Sequence, residues 1–170
     1  MNRRITIAAL TLFLLAAPAL AGTRAPDVGP YTKLNVDPGH KVAFHTFAEG
    51  VQIYRWTGSS WAFIAPEAIL YADEAGHGVV GIHYAGPTWE SNSGSKVVGS
   101  VLERQIVDQS SIPWLKLAAD GAGPGIFKNI TFIQRVNTTG GLAPTEPGDF
   151  IGQEARIAYT AEYYFYRAQH

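Results

Sequence analysis

Residues 155–167 read ARIAYTAEYYFYR, and this stretch decides the fold class. Every second side chain from Ile157 to Phe165 is apolar or aromatic, which is the period of a β-strand and not of a helix. At the end of the stretch Tyr164 and Tyr166 make the opposite face aromatic as well. We therefore expect a long strand whose last residues are buried on both faces.

The same alternation recurs upstream, which extends the prediction to the whole chain. Residues 50–56 (GVQIYRW) and 61–65 are separated by the turn-forming sequence TGSS, so this pair predicts a hairpin. Further strands are predicted at residues 79–84, 96–101, 126–136 and 155–167. The pattern predicts an all-β protein, a single antiparallel β-sandwich or a small β-barrel, with long Gly/Pro loops at residues 121–125 and 138–148. One short helix is predicted at residues 149–154, with Asp149 as its cap.

The core is expected to be aromatic. The chain has 8 Tyr, 8 Phe and 4 Trp but no Cys, so packing and not disulfide bonds must stabilise it. We expect Tyr54, Trp114, Phe132 and Phe165 to be largely buried. In the strand at 126–136, this assigns Phe132 to the core face and Arg135 to the opposite face.

The first residues predict export. Arg3 and Arg4 precede an apolar run at residues 5–17, and Ala19-Leu20-Ala21 is a small-x-small cleavage pattern. The run is too short for a stable membrane span. We expect residues 1–21 to be a signal peptide and residues 22–170 to form a single all-β domain, located in the periplasm or outside the cell.

Charge and motifs exclude several function classes. The 13 basic and 14 acidic residues give a net charge of −1, which does not favour a nucleic-acid partner. The glycine cluster at 121–125 contains Pro124 and precedes a strand, whereas a dinucleotide loop opens a helix, so an NAD-dependent dehydrogenase is not expected. His77 and His83 flank one strand too far apart to share a metal ion. No cofactor and no metal are predicted.

Residues 81–90 (GIHYAGPTWE) hold the densest group of chemically capable side chains. The Gly86-Pro87 turn can bring His83 and Glu90 together, and a histidine beside a carboxylate is the minimum for acid–base chemistry. Trp89 would offer a stacking surface to a sugar or an aromatic ligand. The alternative is a structural corner, in which Trp89 fills the core and His83 satisfies a backbone carbonyl.

A second candidate lies at the end of the 126–136 strand. The Arg135 guanidinium beside the Asn137 amide can hold a carboxylate or a sulfate. Equally, Arg135 can pair with an acidic neighbour while Asn137 opens the following loop.

Several stretches together resemble the secreted bacterial and fungal family called domain of unknown function 3455. The matching segments are GVQIY at 50–54, Trp61 with APEA at 65–68, His83 with GPTWE at 86–90, Gly94-Ser95, IPWL at 112–115, IQRVNT at 133–138 with Gly140-Gly141, and YTA at 159–161 with YYFY at 163–166.

The resemblance implies no activity, cofactor or catalytic residue. It implies a pair of cysteines at the places of Trp56 and about Gly148, both of which are missing here together. Some relatives carry a malate dehydrogenase label, which the short all-β chain without a dinucleotide loop makes physically implausible.

Two functions therefore remain open. The first is a non-catalytic exported β domain that binds a small molecule, a glycan or a cell-envelope partner. The second is a small hydrolase or lyase that uses His83 and Glu90 as an acid–base pair. Convergence of His83, Trp89, Glu90 and Arg135 in one pocket would favour the enzyme.

Overall fold

The computed structural model describes residues 24–169, and the predicted signal peptide lies outside these residues. Eight antiparallel strands form one closed barrel in sequence order, and β8 pairs with β1 to close it. The strands are β1 (His40–Trp56), β2 (Trp61–Tyr71), β3 (Val79–Tyr84), β4 (Thr88–Ser91), β5 (Lys96–Gln105), β6 (Trp114–Asp120), β7 (Ile130–Gly140) and β8 (Glu154–Ala168). A single 3-10 turn, Thr32–Leu34, precedes them.

The predicted all-β class is confirmed, and the barrel is the alternative that the chain adopts. The predicted hairpin is formed by β1 and β2. The helix predicted at residues 149–154 is wrong. Instead, Gly152 donates a backbone hydrogen bond to Trp56, and Trp56 donates one to Gln153, so this segment extends the sheet from the end of β1.

The seam between β1 and β8 is the longest in the barrel, running from His40 opposite Ala168 to Arg55 opposite Glu154. Gly50 lies on β1 where β2 approaches closely: a Cβ there would stand 2.1 Å from the backbone oxygen of Glu67. The absence of a side chain at Gly50 therefore permits this spacing.

One end of the barrel is closed by side chains. It is the end where β1 begins and β8 ends, and the loop at residues 121–129 folds over it. Phe127 from this loop packs against Phe44 and Phe165, with ring centroids 5.5 and 5.1 Å away. The Ser95 hydroxyl accepts a hydrogen bond from the Phe127 backbone N–H and donates one to the Pro124 carbonyl. The predicted loop at 121–125 extends to residue 129, so the strand predicted from residue 126 begins only at Ile130. Phe127 thus lies in the loop and fills this end of the barrel, and we call it the Phe127 plug.

The N-terminal segment, residues 24–39, covers the outside of β7 and β8. Val28 and Leu34 bury Val136 between them, and the Gln134 side chain donates a 2.6 Å hydrogen bond to the Leu34 carbonyl. Tyr166, which points outward, donates a hydrogen bond to the Gln134 side chain and is only 3% exposed. The prediction that the end of this strand is buried on both faces is therefore confirmed for Tyr166, while Tyr164 is half-buried.

The predicted core is right at two of its four positions. Tyr54 and Phe165 are buried inside the barrel. Trp114 and Phe132 are only half-buried, and Phe132 packs edge-on against His40 at the rim. A register shift in the pairing with β8 between Ile130 and Phe132 reverses the alternation, so the inward face of β7 carries Ile133 and Arg135 instead.

Within residues 24–169, no helix is long and apolar enough to cross a membrane.

Candidate functional site

The open end of the barrel contains a cavity of about 530 Å³. This is the end where β1 leads into β2, β3 into β4, β5 into β6 and β7 into β8, opposite the Phe127 plug. Its volume falls within the usual range of small-molecule sites. The lining residues are Gln52, Tyr54, Phe63, Ile64, Pro66, His83, Gly86, Pro87, Trp89, Val101, Arg104, Ile112, Pro113, Leu115, Leu117, Arg135, Leu142 and Tyr163.

His83 is held rigidly in the wall of this cavity. The short turn at residues 85–87 pairs it with Trp89 on the neighbouring strand, and the two rings stack with centroids 4.2 Å apart and an interplanar angle of 11°. The Tyr163 ring packs edge-on against the imidazole at 5.1 Å. His83 Nδ1 lies 2.9 Å from the Thr88 carbonyl oxygen. Because a carbonyl only accepts, Nδ1 carries the proton and Nε2 the lone pair.

Burial lowers the pKa of His83 to about 3, a shift that the bond to Thr88 opposes and the Arg135 charge reinforces. A neutral imidazole is therefore the form present at neutral pH. Since its proton is committed to Thr88, His83 offers the cavity an acceptor and not a cation.

Arg135 places a partly buried guanidinium in the cavity wall, whereas Arg104, which also lines the cavity, is exposed. Arg135 lies between Leu115 of β6 and Tyr163 of β8 in the sheet register. Its Nε and one terminal nitrogen donate hydrogen bonds of 3.1 and 2.8 Å to a single acceptor, the Pro113 carbonyl. Among residues 24–169 no carboxylate forms an ion pair with it. The sequence alternative that paired Arg135 with an acidic neighbour is therefore wrong.

Two further donors belong to cavity-lining residues and have no hydrogen-bond partner in the described chain, but their nitrogen atoms are shielded and do not face the open cavity. They are Gln52 Nε2 and Trp89 Nε1, on side chains of residues that are 3% and 1% exposed. A buried donor without an acceptor costs about 1–3 kcal/mol.

The mouth of the cavity is apolar and basic. Phe63, Ile64, Val101 and Leu142 are exposed around it, and Arg104 also lines it. No carboxylate lines the cavity formed by the described residues. The walls therefore combine hydrophobic side chains with two positive charges and several neutral polar groups.

The predicted acid–base pair is wrong, because His83 and Glu90 lie on opposite faces of the barrel wall. Glu90 pairs in register with Ile82, which points outward, whereas His83 points inward. Outside, Glu90 accepts a 2.8 Å hydrogen bond from the Tyr84 hydroxyl and lies 3.1 Å from Lys96 Nζ. These two donors hold the pKa of Glu90 below its usual range.

Asn137 also lies outside the cavity. It is exposed, adopts a positive φ of 50° and donates a hydrogen bond to Glu162. The irregularity in β7 after Val136 turns it away from Arg135. Of the candidates from the sequence, the structure brings together His83, Trp89 and Arg135.

The sequence argument missed Gln52, Tyr54 and Arg104 as cavity residues. Gln52 and Tyr54 alternate on one face of β1, and a polar residue on the buried face of a strand was the available signal. Tyr54 donates a 2.6 Å hydrogen bond to the Gly141 carbonyl. Arg104 had no comparable signal, because a register shift after Val101 places it at the mouth.

The comparison with protein families decides the classification. The family described as "Protein of unknown function (DUF3455)" matches residues 37–167. The chain belongs to the DUF3455 family. The matched region spans β1 to β7 and all but the last residue of β8, so this DUF3455 protein carries the family match through its barrel. No curated protein and no solved structure matches the chain.

One departure from the family resemblance acquires a structural context. A Cβ on Gly148 would lie 2.8 Å from the Cβ of Trp56. The two places at which the resemblance implies cysteines are thus neighbours in this DUF3455 protein. The indole of Trp56 occupies the space beside Gly148, so close packing replaces the cross-link there.

Proposed function

We propose that this DUF3455 protein is exported and binds a small apolar molecule in the open end of its barrel. The observation that carries the proposal is the cavity of about 530 Å³, whose wall combines apolar side chains with a few polar groups. Closed barrels of eight strands have an interior wide enough to hold one small ligand.

The apolar walls favour a small apolar molecule over a glycan. Leu115, Leu117, Ile112 and Pro66 line the cavity, and a sugar there would lose water at each hydroxyl without finding enough partners. Binding is also favoured over catalysis. His83 is neutral and its proton is held by Thr88, and the nearest sequence candidate for its partner, Glu90, lies outside the barrel.

Export rests on the sequence alone. Arg3, Arg4, the apolar run and Ala19-Leu20-Ala21 have the arrangement of a cleavable signal. A binding protein of the periplasm or the extracellular space is consistent with that arrangement.

Val101 and Val98 offer a matched test of the cavity. Both lie on β5 and both are 46% exposed, but Val101 lines the mouth whereas Val98 does not line this cavity. The neutral fluorescent probe N-phenyl-1-naphthylamine is titrated into the parent, Val101→Trp and Val98→Trp. We expect saturable binding of one probe per chain, weakened by about tenfold or more in Val101→Trp through steric filling and unchanged in Val98→Trp.

Equal binding by all three proteins would place the probe elsewhere and contradict the proposal. Absence of saturable binding by the parent would contradict it too. Thermal melts of both variants check that each one is folded.

A further inference from the structure

Arg135 is a partly buried cation without a counter-charge in the described chain. Both of its observed hydrogen bonds end on one neutral carbonyl, that of Pro113. Taking a charge out of water is costly unless an opposite charge and hydrogen bonds compensate. A guanidinium has five donors in a planar fork, so part of its capacity remains for a ligand. An anion in the cavity would supply what the protein does not.

The neutral groups around Arg135 are also suited to an anion. Tyr163 lines the cavity and lies beside Arg135. Burial raises the pKa of its hydroxyl, so it remains uncharged and does not neutralise the guanidinium. A carboxylate only accepts, and the guanidinium donors that Pro113 does not use can supply its hydrogen bonds.

The charge count favours a monoanion. Among the described residues, Arg135 is the single cation inside the wall, and no carboxylate of this part of the chain lines the cavity. One carboxylate neutralises one guanidinium and fits its fork through two parallel hydrogen bonds. The second charge of a phosphate monoester would have no partner at this depth. Arg104 lies at the exposed mouth, where a positive charge attracts an approaching anion.

The rest of the ligand must be apolar, because Phe63, Pro66, Leu115 and Leu117 form most of the remaining wall. We propose that the cavity takes an apolar monocarboxylate, with its carboxylate on Arg135 and its hydrocarbon body against these side chains. This inference rests on the proposed function and names the ligand class of the same site. The class is distinct from neutral apolar molecules, which would leave Arg135 unpaired.

An acid and its neutral amide distinguish a site for monocarboxylates from a site for neutral apolar molecules. Binding of 2-naphthoate and of 2-naphthamide to the parent is measured by titration calorimetry at neutral pH. The molecules have the same ring system and nearly the same size, and they differ in charge. We expect 2-naphthoate to bind more tightly by about tenfold or more, because hydrogen bonds to charged groups are the stronger ones.

Equal affinity, or tighter binding of the amide, overturns the carboxylate proposal and leaves small-molecule binding standing. Binding of neither probe overturns the carboxylate proposal, and a simultaneous failure of the neutral fluorescent probe would overturn the proposed function as well.

Variants at Arg135 assign the preference to this residue. Arg135→Gln should abolish the preference for the acid while the amide still binds, which also shows that the cavity is intact. Arg156→Gln is the matched control, since Arg156 pairs with Glu67 at 2.8 Å on the exposed barrel surface and its removal changes the net charge equally. An equal loss of both probes in Arg135→Gln overturns the assignment. If Arg135→Gln does not fold, Arg135→Lys retains the charge without the fork, and an undiminished preference there would overturn the bidentate contact.

Discussion

His83 and Trp89 form one rigid unit in the cavity wall, because β4, which carries Trp89, also supplies the hydrogen-bond acceptor for the imidazole. The rings stack at 4.2 Å, and the carbonyl that binds His83 Nδ1 belongs to Thr88, the residue before Trp89. Moving either ring requires breaking the stack and the hydrogen bond together. The wall of the candidate site is therefore preorganised.

Acid should destabilise the protein through His83. Its pKa is about 3 in the folded chain and 6.5 in the reference state, so below pH 6.5 the unfolded chain takes up a proton that the folded chain refuses. Stability is therefore lost as the pH falls through this window. Between about pH 7 and pH 5, we expect the parent to lose about 2 kcal/mol more of its free energy of unfolding than His83→Asn.

Asparagine is chosen because its side-chain amide can still donate to the Thr88 carbonyl. His77→Asn is the control, since His77 is an exposed turn residue that contacts Asp73. Chemical denaturation at several pH values measures the difference. Parallel pH profiles for the parent and His83→Asn would contradict the prediction.

Phe165 and Phe132 should respond very differently to truncation. Phe165 is fully buried against Phe44 and Phe127, so Phe165→Ala should reduce the free energy of unfolding by about 3–5 kcal/mol. Phe132 is half-buried on the outside, and Phe132→Ala should cost under about 2 kcal/mol. Urea denaturation compares the two variants, and equal losses would show that the assigned faces of β7 are incorrect.

Gly50→Ala should be strongly destabilising. The added Cβ would meet the Glu67 oxygen at 2.1 Å and the Ala68 Cα at 2.5 Å, so β1 and β2 would have to separate. We expect a loss of about 1–3 kcal/mol or more in the free energy of unfolding. Gly123→Ala provides the control, because nothing lies within 4 Å of a Cβ there. A neutral result for Gly50→Ala would mean that this strand pair yields without cost.

The export prediction concerns residues outside the described region. If the signal is cleaved after Ala21, protein isolated from its native host should begin at Gly22. Intact-mass measurement and N-terminal sequencing check this. An uncleaved chain beginning at Met1 and recovered from the cytoplasm would contradict it.

The sequence predicted the buried side chains correctly where a strand keeps one face toward the barrel interior with no register shift. Alternation in β8 correctly predicted the buried side chains from Tyr159 to Phe165. It failed at Phe132, because a register shift in the middle of β7 exchanges the two faces, and the alternation alone does not reveal such a shift. β6, Trp114–Asp120, was also missed, since Lys116, the alanines and Asp120 weaken its strand signal.

Prediction of the site residues depended even more strongly on the register between neighbouring strands. Counting across the Gly86-Pro87 turn, His83 can face either Trp89 or Glu90, and a change of one residue decides which of them shares its side. The structure pairs His83 with Trp89. The burial of Val136 depends on Val28 and Leu34, which lie far away in sequence and carry no local pattern that predicts their packing against β7.

The Phe127 plug determines how a bound molecule would travel. With Phe127, Phe44 and Phe165 filling one end of the barrel, the cavity at the other end is a blind chamber. Arrival and departure must then use the same doorway, between Phe63, Val101 and Leu142. A molecule bound as proposed would therefore have a residence time set by that doorway.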